Sequence, residues 1–470
     1  MPVLTVVKNG KSKEISFEKT VALSNILTQY GYFVPHLCGG KGTCKKCTVV
    51  LDGKEVLACR TLISEDATVE LGDNEDILTA AADGETGKLT QNCCLCLDIG
   101  TTTLALALVS LDEKKIICTE TAPNPQRAYG ADVISRIESC TKHGAEVLQR
   151  PLINTLKTMV GRIFGRFGIN SAEKMYVAGN TVMLHLFLGV DCSSMGVSPY
   201  TPTFIGEKRV DASALGFENI GQIITLSGIS AFVGADIVAG IDAVGLPCGE
   251  EYRILLDLGT NAEIALFSRD GIICTAAAAG PCFEGANISC GMSASEGAVY
   301  ACDGQGNVSV IGGGEGRGIC ATGLIDVIAN AVKRGDIDET GYMENERLPV
   351  CKNVSLTAKD IREFQLAKSA IRAGIECLMR QAGVDDEQIE GLYVAGGFSM
   401  GLNRENAASV GLIPVGLAEK TVGVNNASLQ GTVKYACDGE KGWSASVDAK
   451  YVDLSCDVNF AELFMKYMTF

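Results

Sequence analysis

At 470 residues the chain exceeds what one ordinary hydrophobic core accommodates, and roughly two to four domains or lobes are expected. A formal net charge of −16, with 47% hydrophobic and 20% charged residues, excludes binding of nucleic acid or an anionic membrane through a broad basic face. No apolar run reaches the roughly 18–20 residues of a membrane span and residues 1–8 read as a strand, not a secretory leader, so the 20 cysteines are expected in the reducing cytoplasm as cofactor ligands or core residues.

Residues 2–8 and 12–16 alternate around Lys8-Asn9-Gly10-Lys11, where Asn-Gly is a strong hairpin-turn signal. A helix is expected from Ala22 to Tyr30, ending at Gly31. Cys38, Cys44, Cys47 and Cys59 follow with the spacing C-x5-C-x2-C-x11-C. Three thiolates on one tight loop and a fourth from a following strand are how a plant-type [2Fe–2S] cluster is held. The glycines at 39, 40 and 42 would let backbone N–H groups turn toward the sulfides. Zinc is the competing chemistry, but zinc sites usually pair two short C-x2-C knuckles and only one stands here. The segment resembles a [2Fe–2S] ferredoxin, and a first domain is set at 1–72. His36, beside the first ligand, reads as a partly exposed loop residue. The polar, acidic stretch 73–92 reads as a linker. At its end, Cys93-Cys94-Leu95-Cys96 has two readings: burial of alternate positions in a central strand, which is favoured, and a redox or metal role.

The run Leu97-Asp98-Ile99-Gly100-Thr101-Thr102-Thr103 ends an apolar segment in a carboxylate, a sharp turn and three hydroxyls. Such a turn offers N–H groups, hydroxyls and one carboxylate to a phosphate chain and its metal ion. Asp257-Leu258-Gly259-Thr260-Asn261, with Glu263, is a second copy, and a β-rich run, a polar turn and an Ile-Ile-Cys-Thr strand follow both. Further on, Met175 to Asn180 matches Leu392 to Gly397, each a buried strand closing on a glycine turn and each preceded by a helical pattern. Three matches in the same order mean a duplicated α/β lobe, with Asp98 and Asp257 facing each other across a cleft. The second domain is set at 93–470, with lobes at about 93–235 and 236–470. Within it, Gly312 to Gly318 is either a phosphate or ribose loop touching ligand at Gly313, or an ordinary turn. Asp132 and Arg136, one helical turn apart, are either a surface ion pair or part of a nucleotide site. His185, in an apolar helix, reads as a core residue.

The duplicated pattern resembles the superfamily of acetate and sugar kinases, heat-shock-protein ATPases and actin. Its phosphate-1, phosphate-2 and adenosine motifs would be Asp98–Thr103, Asp257–Glu263 and Ala395–Phe398. Asn124-Pro125-Gln126, Tyr129 to Ile137, Val233 to Ile237, Phe283 to Ala286 with Cys290-Gly291-Met292, and Lys359 to Lys368, added to the ferredoxin segment, are similar to the reductive activators of corrinoid proteins. In that family a [2Fe–2S] ferredoxin domain is fused to an ATPase of the superfamily. The resemblance implies an α/β protein with a β-grasp-like ferredoxin domain and a two-lobed actin-like (ribonuclease H-like) ATPase domain. It implies ATP-driven delivery of an electron from the cluster to an inactive Co(II) corrinoid protein of a methyltransferase system, giving Co(I), with a low-potential electron donor upstream and room for a homodimer. Asp98 and Asp257 would hold Mg²⁺ through water, and Thr101, Thr102, Thr260 and Asn261 would grip the β- and γ-phosphates. Gly100, Thr103, Gly259 and Glu263 would complete the two turns, while Gly396 and Gly397 would approach the base or ribose. Gly72 to Asn92 stands where the family pattern carries a linker and a middle domain. The alternatives are a small-molecule kinase of the same superfamily and an ATP-dependent activator of a radical dehydratase.

Overall fold

The computed structural model describes residues 1–8, 11–17, 20–30, 32, 42, 47–71, 89–90, 92–397, 399–439 and 448–470. Asn9, Gly10, Gly31, His36, Cys38, Gly39, Gly40, Cys44, most of the expected linker and Phe398 lie outside the described residues.

The N-terminal domain contains β1 (Val3–Lys8), β2 (Lys11–Ser16), β3 (Val21–Ala22), α1 (Leu23–Gln29), β4 (Thr48–Leu51), β5 (Lys54–Leu57), β6 (Leu62–Ile63) and β7 (Ala67–Leu71). Its five-stranded sheet has the order β2-β1-β7-β4-β5, with β1 antiparallel to β2 and parallel to β7. The two-residue period of β1 turns Leu4 and Val6 inward, and α1 presents Leu23, Ile26 and Leu27 at i, i+3, i+4 spacing to the same core. Burying each such side chain contributes about 1.5–3 kcal/mol. This is the expected ferredoxin-type β-grasp. Beyond its own core, α1 rests against the 3-10 turn Pro125–Ala128 of the following domain.

The first lobe opens with the meander β8 (Cys93–Ile99), β9 (Thr103–Ser110) and β10 (Lys115–Pro123). There follow α2 (Val133–His143), α3 (Ala145–Phe167), β11 (Ala172–Gly179), α4 (Thr181–Leu188), β12 (Lys208–Asp211), β13 (Ile220–Thr225) and α5 (Ala235–Val244). The second lobe repeats the plan with β14 (Tyr252–Leu258), β15 (Ala262–Phe267) and β16 (Ile272–Ala277). It then inserts β17 (Ala298–Cys302), β18 (Val308–Val310), β19 (Gly318–Ile319), α6 (Ala321–Arg334), β20 (Arg347–Cys351) and β21 (Val354–Thr357). It closes with α7 (Ala358–Ala382), β22 (Ile389–Ala395), α8 (Arg404–Ser409), β23 (Thr421–Gly423), α9 (Ala427–Asp438), β24 (Ala449–Tyr451) and α10 (Phe460–Lys466).

The two large sheets share one order over five strands, β10-β9-β8-β11-β13 in the first lobe and β16-β15-β14-β22-β23 in the second, and each adds a sixth strand at the opposite edge, β12 beside β13 and β24 beside β16. The repeat is therefore structural as well as sequential. In register, Asp98 lies beside Ala178 of β11, and Asp257 lies beside Ala395 of β22.

The lobes exchange helices, which a division at residue 235/236 does not capture. α5 packs Ile237 and Ile241 against Leu255, Ala265 and Phe267 of the second sheet. α9, far along the second lobe's sequence, packs Leu429 and Val433 against Cys94, Cys96, Ala105 and Ala107 of the first. The two helices cross so closely that a Cβ on Gly431 would overlap the Ala239 carbonyl oxygen. α9 also explains the cysteines before the first turn: Cys94, Leu95, Cys96 and Leu97 are all buried, because this strand is covered on both faces. No helix among the described residues is long and apolar enough to cross a membrane.

Candidate functional site

Between the two sheets lies a cleft of about 420 Å³, a volume suited to a nucleotide-sized ligand. It is lined by Asp98, Gly100, Thr101, Thr102 and Thr103 from the first lobe and Asp257, Gly259, Thr260, Asn261 and Glu263 from the second, with Gly396 and Gly397 at one side. Gly313 is not among the lining residues. It sits in an exposed turn beyond β18, and a Cβ there would meet nothing within 4 Å, so its positive φ of 76° serves the turn. That chain segment reaches the cleft only further on, at Cys320 and Ala321, where α6 begins.

The first Asp-x-Gly-Thr turn is held from behind. Asn124 Nδ2 donates to the Gly100 carbonyl at 2.8 Å, the Asn124 amide donates to the Thr102 carbonyl at 2.9 Å, and the Arg136 guanidinium donates to the Thr101 carbonyl. With three successive carbonyls so engaged, the planar trans peptides send the N–H groups of Thr101, Thr102 and Thr103 the opposite way. Arg136 is fully buried, with its Nε on the Gly130 carbonyl at 3.0 Å, while Asp132 caps α2 through Ser135. The surface ion-pair reading of Asp132 and Arg136 is thus corrected: one is a helix cap at the cleft edge, the other a buried strut beneath the turn. In the second turn, the buried Thr260 hydroxyl has no hydrogen-bond partner among the described residues, which marks a place for a ligand acceptor.

Four carboxylates converge on the cleft floor. Asp98 accepts from Ser428 Oγ at 2.8 Å, and Glu263 accepts from Asn180 Nδ2 at 3.4 Å. Asp257 and Asp236, the latter in the first turn of α5, complete the group. Each keeps some surface toward the open cleft, yet protein replaces most of its water. Burial lifts Asp98 to about 6 against the opposing hydrogen bonds of Ser428 and Asn426. Burial and the Asp98 charge lift Asp257 to about 6, and burial with Asp257 and Asp98 lifts Asp236 to about 8. Glu263 is raised well above its ordinary range by burial, then by Asp236 and Asp257. Mutual repulsion of this kind is relieved by a hard cation with oxygen ligands. Among the described residues no three His, Cys, Asp or Glu side chains gather closely enough to chelate a metal directly. The donor set therefore fits Mg²⁺ that keeps its waters and takes phosphate oxygens, not a dehydrated protein-bound ion.

Gly396, at φ 101°, closes the strand beside Asp257; a Cβ there would run into the Leu258 carbonyl oxygen and lie 3.3 Å from Asp257 Oδ1. Opposite, Asn426 caps α9 by accepting from the Leu429 amide at 2.9 Å, which sets Ser428 on Asp98. Asp236, Ser428, Asn180, Arg127 and Glu284 were not recognisable as site residues from local pattern, although Asp236, Glu284 and the stretch beside Arg127 fall in the segments that carried the family resemblance. The Lys359–Lys368 segment is elsewhere. Its Asp360 completes the capping box of α7 by accepting from the Thr357 amide at 2.7 Å and also accepts from the Ser289 amide at 2.7 Å, while Gln365 and Lys368 hold the carbonyls of Met468 and Thr469. His185 is buried, with Nδ1 2.7 Å from the Thr181 carbonyl, and stacks on Phe204.

Of the four expected cluster ligands, Cys47 and Cys59 are described. Cys47 is buried at the start of β4, and its Sγ lies 3.2 Å from that of Cys59. This is well beyond a disulfide bond of about 2.05 Å. Two adjacent free thiols fit shared ligation of an iron–sulfur cluster.

Three family models match in succession: a 2Fe-2S iron-sulfur cluster binding domain at residues 6–79, the RACo middle region at 93–248, and the C-terminal ASKHA domain of RACo at 251–470. The middle region is therefore present as the first lobe. Gly72 to Asn92 does not stand in its place, which corrects the expectation drawn from the family resemblance. The chain is 25% identical to the corrinoid activation enzyme RamQ of Eubacterium limosum, over 96% of this chain and 97% of that protein. It is 30% identical to the [Co(II) methylated amine-specific corrinoid protein] reductase of Methanosarcina barkeri, over 71% of this chain and 68% of the other. Among solved structures, a reductive activator for a corrinoid, iron-sulfur protein superposes with a TM-score of 0.70 at 25% identity, covering 100% of this chain and 98% of that one.

Proposed function

The chain belongs to the RACo family of corrinoid-protein reductive activators, and on that premise we propose that it couples ATP hydrolysis in the cleft to reduction of a Co(II) corrinoid protein to Co(I). The observation that carries this reading is the carboxylate-lined cleft between paired phosphate turns, in one chain with a four-cysteine ferredoxin pattern. When bound to Cys38, Cys44, Cys47 and Cys59, a [2Fe–2S] cluster supplies low-potential one-electron storage, near about −400 mV for the plant type. Asp98, oriented by Ser428, and Asp257 would hold the Mg²⁺ of the nucleotide through water. The N–H groups of the first turn and the hydroxyls of Thr101, Thr102 and Thr260, with Asn261, bind the β- and γ-phosphates. Gly396 and Gly397 let backbone approach the ribose or base.

Reducing Co(II) is uphill for such a cluster, so nucleotide state must bias binding of the oxidised and reduced partner differently. For one electron, about 59 mV is offset by each tenfold difference in affinity. A low-potential donor upstream and a cytoplasmic setting belong to the same reading, and a homodimer is compatible with it. The test mixes the purified iron-loaded chain with MgATP, a low-potential reductant and a Co(II) corrinoid protein, and follows the Co(I) absorbance. Co(I) should form only with ATP. Cys47→Ser should lose electron transfer while still binding ATP. Formation of Co(I) at the same rate without ATP overturns the coupling.

A further inference from the structure

We infer that Glu284 is a cross-cleft positioning residue: it holds the Thr102 hydroxyl, attracts the nearby Arg127 guanidinium, and competes with the phosphate chain for these first-lobe donors. The inference rests on the nucleotide reading of the cleft.

Glu284 ends the 3-10 turn Pro281–Glu284 of the second lobe, and its Oε1 accepts from the Thr102 hydroxyl of the first lobe at 3.4 Å. A Cβ built on Gly259 would lie 3.8 Å from the same oxygen, so the carboxylate stands between the two phosphate turns. Its charge also reaches Arg127, which lines the cleft from the 3-10 turn anchored by Asn124, and more weakly the Arg136 strut. Glu284 is separate in role from the four floor carboxylates, which face the metal position; it faces the lobe-one donors. The platform is fixed. A Cβ on Gly285 would come within 2.7 Å of the Met292 amide nitrogen, and Phe283 is buried edge-on against Phe364 of α7.

A polyphosphate and Glu284 are two anions offered the same donors. Binding of nucleotide therefore turns the Thr102 hydroxyl from Glu284 to the phosphate oxygens and sets the phosphate charge against that of Glu284 near Arg127, and return of Glu284 to Thr102 helps expel the products. Neutralising Glu284 removes the competitor. Glu284→Gln, which preserves size, should bind MgADP at least about fivefold more tightly than wild type, within the range of ordinary coupling between competing ligands. Its KM for ATP should fall and its kcat should fall with it, because the products leave more slowly. Glu284→Asp, which keeps the charge, should stay near wild-type affinity. The experiment is titration of the full iron-loaded chain with MgADP, alongside steady-state ATP turnover, for wild type and both variants. Equal or weaker MgADP binding by Glu284→Gln, or tightening by Glu284→Asp as large as that by Glu284→Gln, overturns this assignment alone. A wild-type chain that binds neither MgADP nor MgATP overturns the nucleotide reading and this assignment with it.

Discussion

Replacing Asp236 by Asn should make the metal-free, nucleotide-free protein more stable, and the gain should grow with pH. Asp236 is lifted to about 8 by burial first, then by Asp257 and Asp98. A carboxyl whose folded pKa is raised holds a proton that the unfolded chain releases near 3.9, so it costs stability as pH rises between those values and the cost levels off above about 8. Each unit corresponds to about 1.4 kcal/mol. Because the carboxyl keeps some accessible surface and shares its repulsion with two neighbours, the expected penalty at pH 8 is about 2–3 kcal/mol. Asn keeps the acceptor that receives the Ile237 amide at 2.9 Å, so the substitution removes charge without removing that bond. Thermal unfolding with a chelator present should place Asp236→Asn about 2–4 °C above wild type at pH 8, the shift that about 2–3 kcal/mol produces in a domain of this size. The difference should shrink to less than half at pH 5, and millimolar Mg²⁺ should narrow it by stabilising wild type. A difference that is independent of pH, or a variant less stable than wild type at pH 8, would refute the electrostatic account of the cleft floor.

Two further substitutions probe the scaffold. Gly431→Ala should cost about 3 kcal/mol and slow ATP turnover, because the added methyl meets the Ala239 carbonyl where α5 and α9 cross; unfolding and turnover measured together check it. Arg136→Met should cost about 2–4 kcal/mol and raise the KM for ATP about tenfold, since it strips the donors from the buried Gly130 and Thr101 carbonyls and loosens the first turn. Unchanged ATP affinity in that variant would mean the turn holds its shape without the strut.

The duplicated fold was legible because its signals are local. An apolar run ending in Asp-x-Gly-Thr and a strand closing on Ala-Gly are dictated by side-chain period and turn chemistry, and both recur in order. The 2Fe-2S domain was readable for the same reason, since its cysteine pattern is local, and a 2Fe-2S cluster binding domain matches residues 6–79. Glycine was less informative: Gly396 is required by close approach, whereas Gly313 serves only a positive-φ turn, and the letters do not distinguish the two.

What the amino-acid order determined, then, was the two Asp-x-Gly-Thr turns and the repeated meander, each set by neighbours a few residues apart. The tertiary structure alone decided which groups surround those turns. Asp236 looks like an ordinary first-turn acid until α5 crosses into the second lobe and places it beside Asp257 and Asp98. Ser428 reaches Asp98 across 330 residues only because α9 returns to the first sheet. An amphipathic pattern specifies that a face will be buried, not against which sheet; that choice is made by the fit of two helices at Gly431 and Ala239, which no local period encodes.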